Sequence, residues 1–285
     1  MNRKVTLCAY AKLNLYLDIV GKREDGYHEL EGVMQAIDLH DRVTVYITDT
    51  PGITVTCDNP EVPTDNNSVA YKAAELFIKT SGLDSQNMLP LGVAVDIKQQ
   101  IPAMAGLGGS SADGAAVLAG LNHLFDNAFS IAELCDMGVQ LGADVPFCLT
   151  RGTAICRGIG EVLTPLPPIK NVYYVIVKPD YSNSTKELYE AYDLHPKMHN
   201  NKLDEFITAI KKGKFSENLH LMYNVFQSEN DYKIHEELYS VGAKGTNLTG
   251  TGSAVFGVFE DFHNALAAYG KLDFPFKYIA CNLSE

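Results

Sequence analysis

No run of apolar residues in this sequence is long enough to span a membrane; residues 172–177 form one of the longest, and Lys178 ends it. A secretion signal is not expected at the start, because Lys12, Asn14 and Asp18 interrupt the apolar residues there. The six cysteines are scattered and never spaced as C-x-x-C, which argues against a zinc knuckle or a disulfide framework and leaves reduced thiols as the expectation. Basic residues are in deficit: 23 Lys and Arg stand against 35 Asp and Glu, a formal net charge of −12. Such a chain repels nucleic acid and anionic membrane surfaces, so neither is an expected partner. Any polyphosphate must be held locally, by backbone N–H groups, a few lysines and a metal ion. The N-x-[ST] matches at Asn66, Asn183 and Asn247 read as chance, and a cytoplasmic location is expected.

Several signatures are also missing. There is no G-x-x-x-x-G-K-[ST] phosphate loop, no G-x-G-x-x-G opening a helix after a strand, no H-E-x-x-H and no G-x-S-x-G. The common zinc, esterase and dehydrogenase readings fall away with them.

What is present is a chain of 285 residues, 46% hydrophobic and 20% charged, enough for one large or two modest domains. Residues 12–19 alternate strictly, with Leu13, Leu15, Leu17 and Ile19 on one face and Lys12, Asn14, Tyr16 and Asp18 on the other, which predicts a half-buried strand. Val43, Val45 and Ile47, then Ile53 and Val55, then Val93, Val95 and Ile97 repeat the pattern. Helical spacing covers residues 68–80, closing near Gly82, and the Ala-rich residues 112–125. Ser130-x-x-Glu133 predicts a capping box on a helix ending near Gly142. The cluster Pro165, Pro167 and Pro168 reads as a linker. Beyond it come a strand at 172–177, helices near 185–193, 201–212, 217–226 and 231–241, a turn and strand at 250–260, a helix at 261–270 and a strand at 274–281. Strands and helices mix without a regular βαβ beat, which predicts an α+β fold in two domains, 1–163 and 171–285.

The chemistry concentrates in Pro102-Ala103-Met104-Ala105-Gly106-Leu107-Gly108-Gly109-Ser110-Ser111-Ala112-Asp113. Glycine lets the backbone approach an anion closely, successive N–H groups form a nest, and a helix N-terminus adds positive potential. Serine hydroxyls can bind a phosphate oxygen or Mg²⁺. The bland alternative is a tight strand-to-helix turn with a serine cap. A second Gly-rich turn holds Gly250, Gly252 and Ser253, and reads either as a strand entry or as another close backbone approach to phosphate.

The segment P-x-x-x-G-L-G-[SG]-S resembles the phosphate loop of the GHMP kinases, small-molecule kinases without a Walker loop. Two further motifs of that family occur in order, Ala11-Lys12-Leu13-Asn14-Leu15 and Asn247-Leu248-Thr249-Gly250-Thr251-Gly252-Ser253, so the resemblance spans the chain. Asp25-Gly26-Tyr27-His28, the Gly142–Phe147 hexapeptide around Asp144 and Pro146, and Gly158-Ile159-Gly160-Glu161 match one branch of the family. That branch phosphorylates the 2-hydroxyl of a cytidine-diphosphate sugar alcohol in the non-mevalonate isoprenoid-precursor route. The resemblance implies an N-terminal ribosomal-protein-S5-like domain, a C-terminal ferredoxin-like α/β domain, and an active site in the cleft between them. It implies ATP and Mg²⁺ as cofactors and a chain acting as a monomer or weak dimer.

It also implies roles. Asp144 would accept the substrate hydroxyl proton, and Lys12 would lower the pKa of Asp144 and steady the transferred phosphoryl group. Taken alone, Asp144 reads more commonly as a cap or turn residue, and Lys12 as a solvated strand lysine. Residues 102–111 would wrap the ATP phosphates, with Ser110 or Ser111 helping the metal; Asn67 (or Asn66) would lie beside the adenine, and Lys98 would contact ATP. Asn14, Tyr27, His28, Thr185, Tyr189 (with Tyr181 as fallback), Gly250, Gly252 and Ser253 would bind the cytidyl substrate, Tyr27 by stacking and His28 by hydrogen bonds. Three departures stand out: GLGGSS is one glycine shorter than GLGGGSS, Gln99 replaces the usual lysine before the loop proline, and TGTGS replaces SGSG-type turns.

Overall fold

The computed structural model describes residues 3–82 and 92–283. In chain order its strands and helices are β1 (Lys4–Lys22), β2 (His28–Thr48), β3 (Gly52–Cys57), α1 (Val69–Ser81), β4 (Gly92–Lys98), α2 (Gly109–Leu124), α3 (Ile131–Leu141), α4 (Val145–Thr150), β5 (Thr153–Arg157), β6 (Val162–Leu166), β7 (Tyr173–Lys178), α5 (Thr185–Leu194), α6 (Leu203–Lys211), β8 (Tyr223–Asn224), α7 (Glu229–Ser240), β9 (Gly245–Leu248), β10 (Val255–Phe259), α8 (Phe262–Lys271) and β11 (Phe276–Cys281). The fold is α+β. None of its helices is long and apolar enough to cross a membrane among the described residues.

The chain forms two compact units. The first takes Met1–Ala11, His40–Ala103 and Gly108–Thr150. In it β4 pairs antiparallel with the later part of β2 and parallel with β3. Val43, Val45, Val93, Val95 and Ile97 bury one sheet face, as their alternation predicts. Helix α2 packs on its own unit from several sides: β-carbons on Gly114 and Gly120 would lie 2.7 Å from Val69 and 3.0 Å from Leu7 and Val45. Small residues are therefore what this position allows, and Ala115, Val117, Leu118 and Leu121 are all buried. The capping box on α3 forms, Glu133 N–H donating to Ser130 Oγ and Ser130 N–H to Glu133 Oε2. Gly82 closes α1 in the left-handed conformation.

The second unit takes Lys12–Leu39, Met104–Leu107 and Arg151–Glu285. It holds an antiparallel sheet ordered β11-β7-β10-β9. Leu17, Val175, Val177, Phe226, Leu238, Leu248, Val255 and Phe259 share its core. The β5–β6 hairpin joins the early part of β2, and β8 pairs parallel with β1 at Tyr16 and Leu17.

Three sequence expectations change. Residues 12–19 are not half-buried: Lys12, Asn14, Tyr16 and Asp18 are as enclosed as their apolar neighbours. The alternation is real, but the polar face meets protein partners. Asp18 accepts hydrogen bonds from the N–H groups of Ile19 and Asn200 and pairs with His199. Residues 217–226 are not one helix. A 3₁₀ turn (Ser216–Leu221) precedes β8, where pairing with β1 outweighs helix propensity. Pro165 is not linker but lies in β6, opposite Ala154, on a strand that pairs only with β5 among the described residues.

Candidate functional site

In the first unit the glycine loop runs straight into α2. Gly108, at φ +74, is the N-cap, so Gly109, Ser110 and Ser111 form the first helical turn with its unpaired N–H groups. The bland reading of a serine cap fails, since glycine holds the cap and no side chain caps it. Gly109 sits over Ile101, where a β-carbon would approach to 3.2 Å. Just before the loop, Asp41 Oδ1 accepts from the N–H groups of Gln100 (2.5 Å) and Ile101 (2.7 Å). Asp41 is wholly enclosed and Asp113 nearly so. Burial raises the Asp41 carboxyl to about 6. Burial, and then the neighbouring Asp41 charge, push Asp113 well above the usual carboxylate range.

Asp144 lies half-buried in the turn between α3 and α4, where its carbonyl accepts from Cys148 N–H. That turn begins at Gly142, where a β-carbon would lie 3.7 Å from Ser111 Oγ. The first unit thus brings the Asp144 turn beside the end of the glycine loop. Asn67 is exposed and hydrogen-bonds Asp65 Oδ2, at the entry to α1. Lys98 ends β4 with its ammonium 3.8 Å from Asp96, and is mostly exposed.

In the second unit, Ala105, Gly106 and Leu107 lie against β1 and the turn 249–254. Lys12 N–H donates to Leu107 O, and Ala254 N–H to Ala105 O. Lys12 is only 5% exposed, and its ammonium donates to Asn14 Oδ1 at 2.6 Å. The same oxygen accepts from Gly250 N–H at 2.9 Å. Gly106 must be glycine: its φ is +76, and a β-carbon would lie 2.1 Å from the Thr249 carbonyl oxygen. Ser253 Oγ donates to Tyr181 O, and Thr185 Oγ1 lies 2.9 Å from Thr251 Oγ1.

A separate cluster of this unit gathers the aromatic candidates. His28 stacks on Tyr189 at 4.8 Å between ring centres, and His28 Nε2 lies 2.8 Å from Asp193 Oδ1. Tyr189 also meets Phe226 edge-on. Lys22, and His28 after it, hold the Asp193 carboxyl below its ordinary range. Tyr27 is 60% exposed, a free aromatic face beside that cluster in sequence.

Sequence reasoning gave no role to Asn224, nor to Asn247 and Thr249, although the last two lie in the 247–253 motif. Asn247, set aside as a glycosylation match, is buried and donates to the carbonyls of Asn14, Leu15 and Tyr223. Asn224 donates to the carbonyls of Leu248 and Gly250. The signal for Thr249 lay inside the second glycine turn, whose glycines drew the attention.

Family models match twice: "GHMP kinases N terminal domain" over residues 68–152 and "GHMP kinases C terminal" over residues 194–277. The chain is 43% identical over 270 residues to the 4-diphosphocytidyl-2-C-methyl-D-erythritol kinase of Clostridium botulinum (strain Eklund 17B / Type B), covering 93% of this chain and 94% of that one. It is 40% identical over 281 residues to the protein of the same name from Alkaliphilus metalliredigens, covering 96% and 94%. A solved structure of 4-(cytidine 5'-diphospho)-2C-methyl-D-erythritol kinase superposes with a TM-score of 0.78 at 28% identity, over 99% of this chain and 100% of that one. A homoserine kinase from Cytophaga hutchinsonii shares the fold, with a TM-score of 0.75 at 17% identity over 98% and 95%.

Proposed function

We propose that this chain, which belongs to the 4-diphosphocytidyl-2-C-methyl-D-erythritol kinase family of the GHMP kinases, transfers the γ-phosphoryl group of ATP to the 2-hydroxyl of 4-diphosphocytidyl-2-C-methyl-D-erythritol, a step of isoprenoid-precursor synthesis. The observation that carries the reading is Lys12. A lysine this enclosed is tolerated only where its charge is hydrogen-bonded or paired, which fixes the ammonium in place. Here it is held by Asn14 on the strand whose backbone clasps the phosphate loop at Leu107.

The reaction consumes ATP and an alcohol and releases ADP, the phosphate monoester and a proton. Catalysis of such a transfer rests on positioning and on charge stabilisation. Within residues 102–111 every residue but Pro102 offers a main-chain N–H to the phosphates, with the α2 N-terminus adding positive potential. Lys12 stabilises negative charge on the phosphoryl oxygens. Asp144 takes the proton of the attacking hydroxyl, and the alkoxide oxygen forms the new P–O bond as the bond to ADP breaks. Tyr27 stacks on the cytosine, His28 hydrogen-bonds it, and Tyr189 backs His28. Asn14, Thr185, Gly250, Gly252 and Ser253 line the path to the substrate's phosphates, Asn67 reaches the adenine, and Lys98 the ATP phosphates.

Among the described residues no group of three or more His, Cys, Asp or Glu is placed to cage a metal. The donors at the loop are main-chain amides and the Ser110 and Ser111 hydroxyls, which suits Mg²⁺ carried in by phosphate oxygens. Bound there, Mg²⁺ would neutralise phosphate charge, with a serine hydroxyl as its protein ligand.

The test is ATP turnover with each candidate acceptor. Phosphorylation of the cytidyl substrate, with homoserine and mevalonate inert, supports the reading. Turnover of homoserine or mevalonate alone, or ligand binding without ATP consumption, refutes it.

A further inference from the structure

Thr249 is wholly buried in the second unit, and no role has yet been given to its hydroxyl. A threonine hydroxyl offers one donor and two acceptor sites. Here it accepts from Asn14 N–H at 3.1 Å and donates to Gly106 O at 3.1 Å. The two groups it joins belong to the strand that carries Lys12 and to the loop that carries the glycines.

The bonds around it close a ring. Lys12 N–H holds Leu107 O at 3.0 Å, the residue after Gly106. Asn14 Oδ1 takes both the Lys12 ammonium and Gly250 N–H. Three segments distant in sequence, 12–14, 106–107 and 249–250, are joined by one hydroxyl, one amide side chain and the Lys12–Leu107 main-chain bond. The close approach of Gly106 to the Thr249 carbonyl leaves no room for slack between them.

We propose that Thr249 is a positioning residue for phosphoryl transfer: its hydroxyl fixes the register of the phosphate loop against the strand that presents Lys12. The proposal rests on the kinase reading above. Thr249 touches neither ATP nor the reacting atoms; it acts through Gly106 and Asn14. Removing the hydroxyl while keeping the shape leaves Gly106 O and Asn14 N–H enclosed without that partner, and relief comes from shifting the loop.

The test uses Thr249→Val, which keeps the volume, and Thr249→Ser, which keeps the hydroxyl. Affinity for a non-hydrolysable ATP analogue is measured by calorimetry without any acceptor, together with KM for ATP, kcat and the affinity for cytidine 5′-diphosphate. Thr249→Val is expected to bind the ATP analogue about tenfold to a hundredfold more weakly. Thr249→Ser should recover most of the loss, and cytidine 5′-diphosphate should lose no more than about a few-fold in affinity in either variant. A merely structural threonine would lower thermal stability with no split between the two ligands.

Equal affinity of Thr249→Val and parent for the ATP analogue overturns the proposal. So does equal damage in the Val and Ser variants, or loss of both ligands together. A parent that binds no ATP analogue refutes the kinase reading itself, and this proposal with it; a parent that binds while Thr249→Val binds equally well refutes only the proposal. If Thr249→Val does not fold, Thr249→Ala carries the same expectations in the same assays.

Discussion

Asp41 supplies a prediction whose sign is fixed by the structure. Its carboxyl is raised from 3.8 to about 6, burial being the main cause, while the Gln100 and Ile101 N–H groups and His40 pull the other way. Between pH 4 and pH 6 the unfolded chain releases this proton and the folded chain keeps it. Folding stability therefore falls as pH rises through that window, and the penalty stays in full above it. At 1.36 kcal/mol for each pH unit, the displacement corresponds to at most about 3 kcal/mol at neutral pH, shared with the neighbouring buried Asp113. Asparagine keeps an oxygen for the two N–H groups and carries no charge. Asp41→Asn should therefore stabilise the protein by up to about 3 kcal/mol at pH 8, and by almost nothing at pH 4. Urea unfolding of both proteins at several pH values reads this directly. A variant less stable than the parent at pH 8, or a gain that does not depend on pH, would refute the reasoning.

Other expectations follow from single contacts. Gly106→Ala places a methyl group 2.1 Å from the Thr249 carbonyl oxygen at a positive φ, so KM for ATP should rise and the melting temperature fall; unchanged ATP kinetics would remove Gly106 from the loop's working geometry. Tyr27→Ala removes an exposed ring and should raise KM for the cytidyl substrate with kcat nearly unchanged, because stacking binds ground state and transition state alike. An effect confined to kcat would contradict stacking. Ser130→Ala breaks the capping box on α3 and should cost about 1 kcal/mol in denaturant unfolding.

Much of this was legible in the sequence, and the exceptions share a cause. The alternation at 12–19, the capping box and the glycine loop are local signals, and each produced the element expected. The polar face of β1 was misjudged because its partners lie far along the chain: Lys12 and Asn14 meet residues near 107 and 250, and Asp18 meets 199–200. Nothing local says that a lysine will be buried. The helix expected at 217–226 fails for the same reason, since the partner of β8 is more than 200 residues away at Tyr16 and Leu17. Asp41 belongs to no recognisable chemical pattern, and Thr249 lay inside the 247–253 motif, where the glycines drew the attention; one holds main-chain groups before the loop, the other holds a carbonyl within it. The glycine loop stood out because three glycines and two serines between a strand and a helix carry chemistry of their own, whereas Asp144 was marked only by the family resemblance.

The account depends on Asp144 serving as the base for a hydroxyl phosphorylated from ATP. The most direct test compares Asp144→Asn with the parent by single-turnover phosphorylation of 4-diphosphocytidyl-2-C-methyl-D-erythritol, alongside calorimetric titration with cytidine 5′-diphosphate. The variant should bind the cytidine ligand as the parent does and lose about a hundredfold to ten-thousandfold in rate. A rate within a few-fold of the parent's, with the cytidyl substrate still phosphorylated, would show that the proton goes elsewhere.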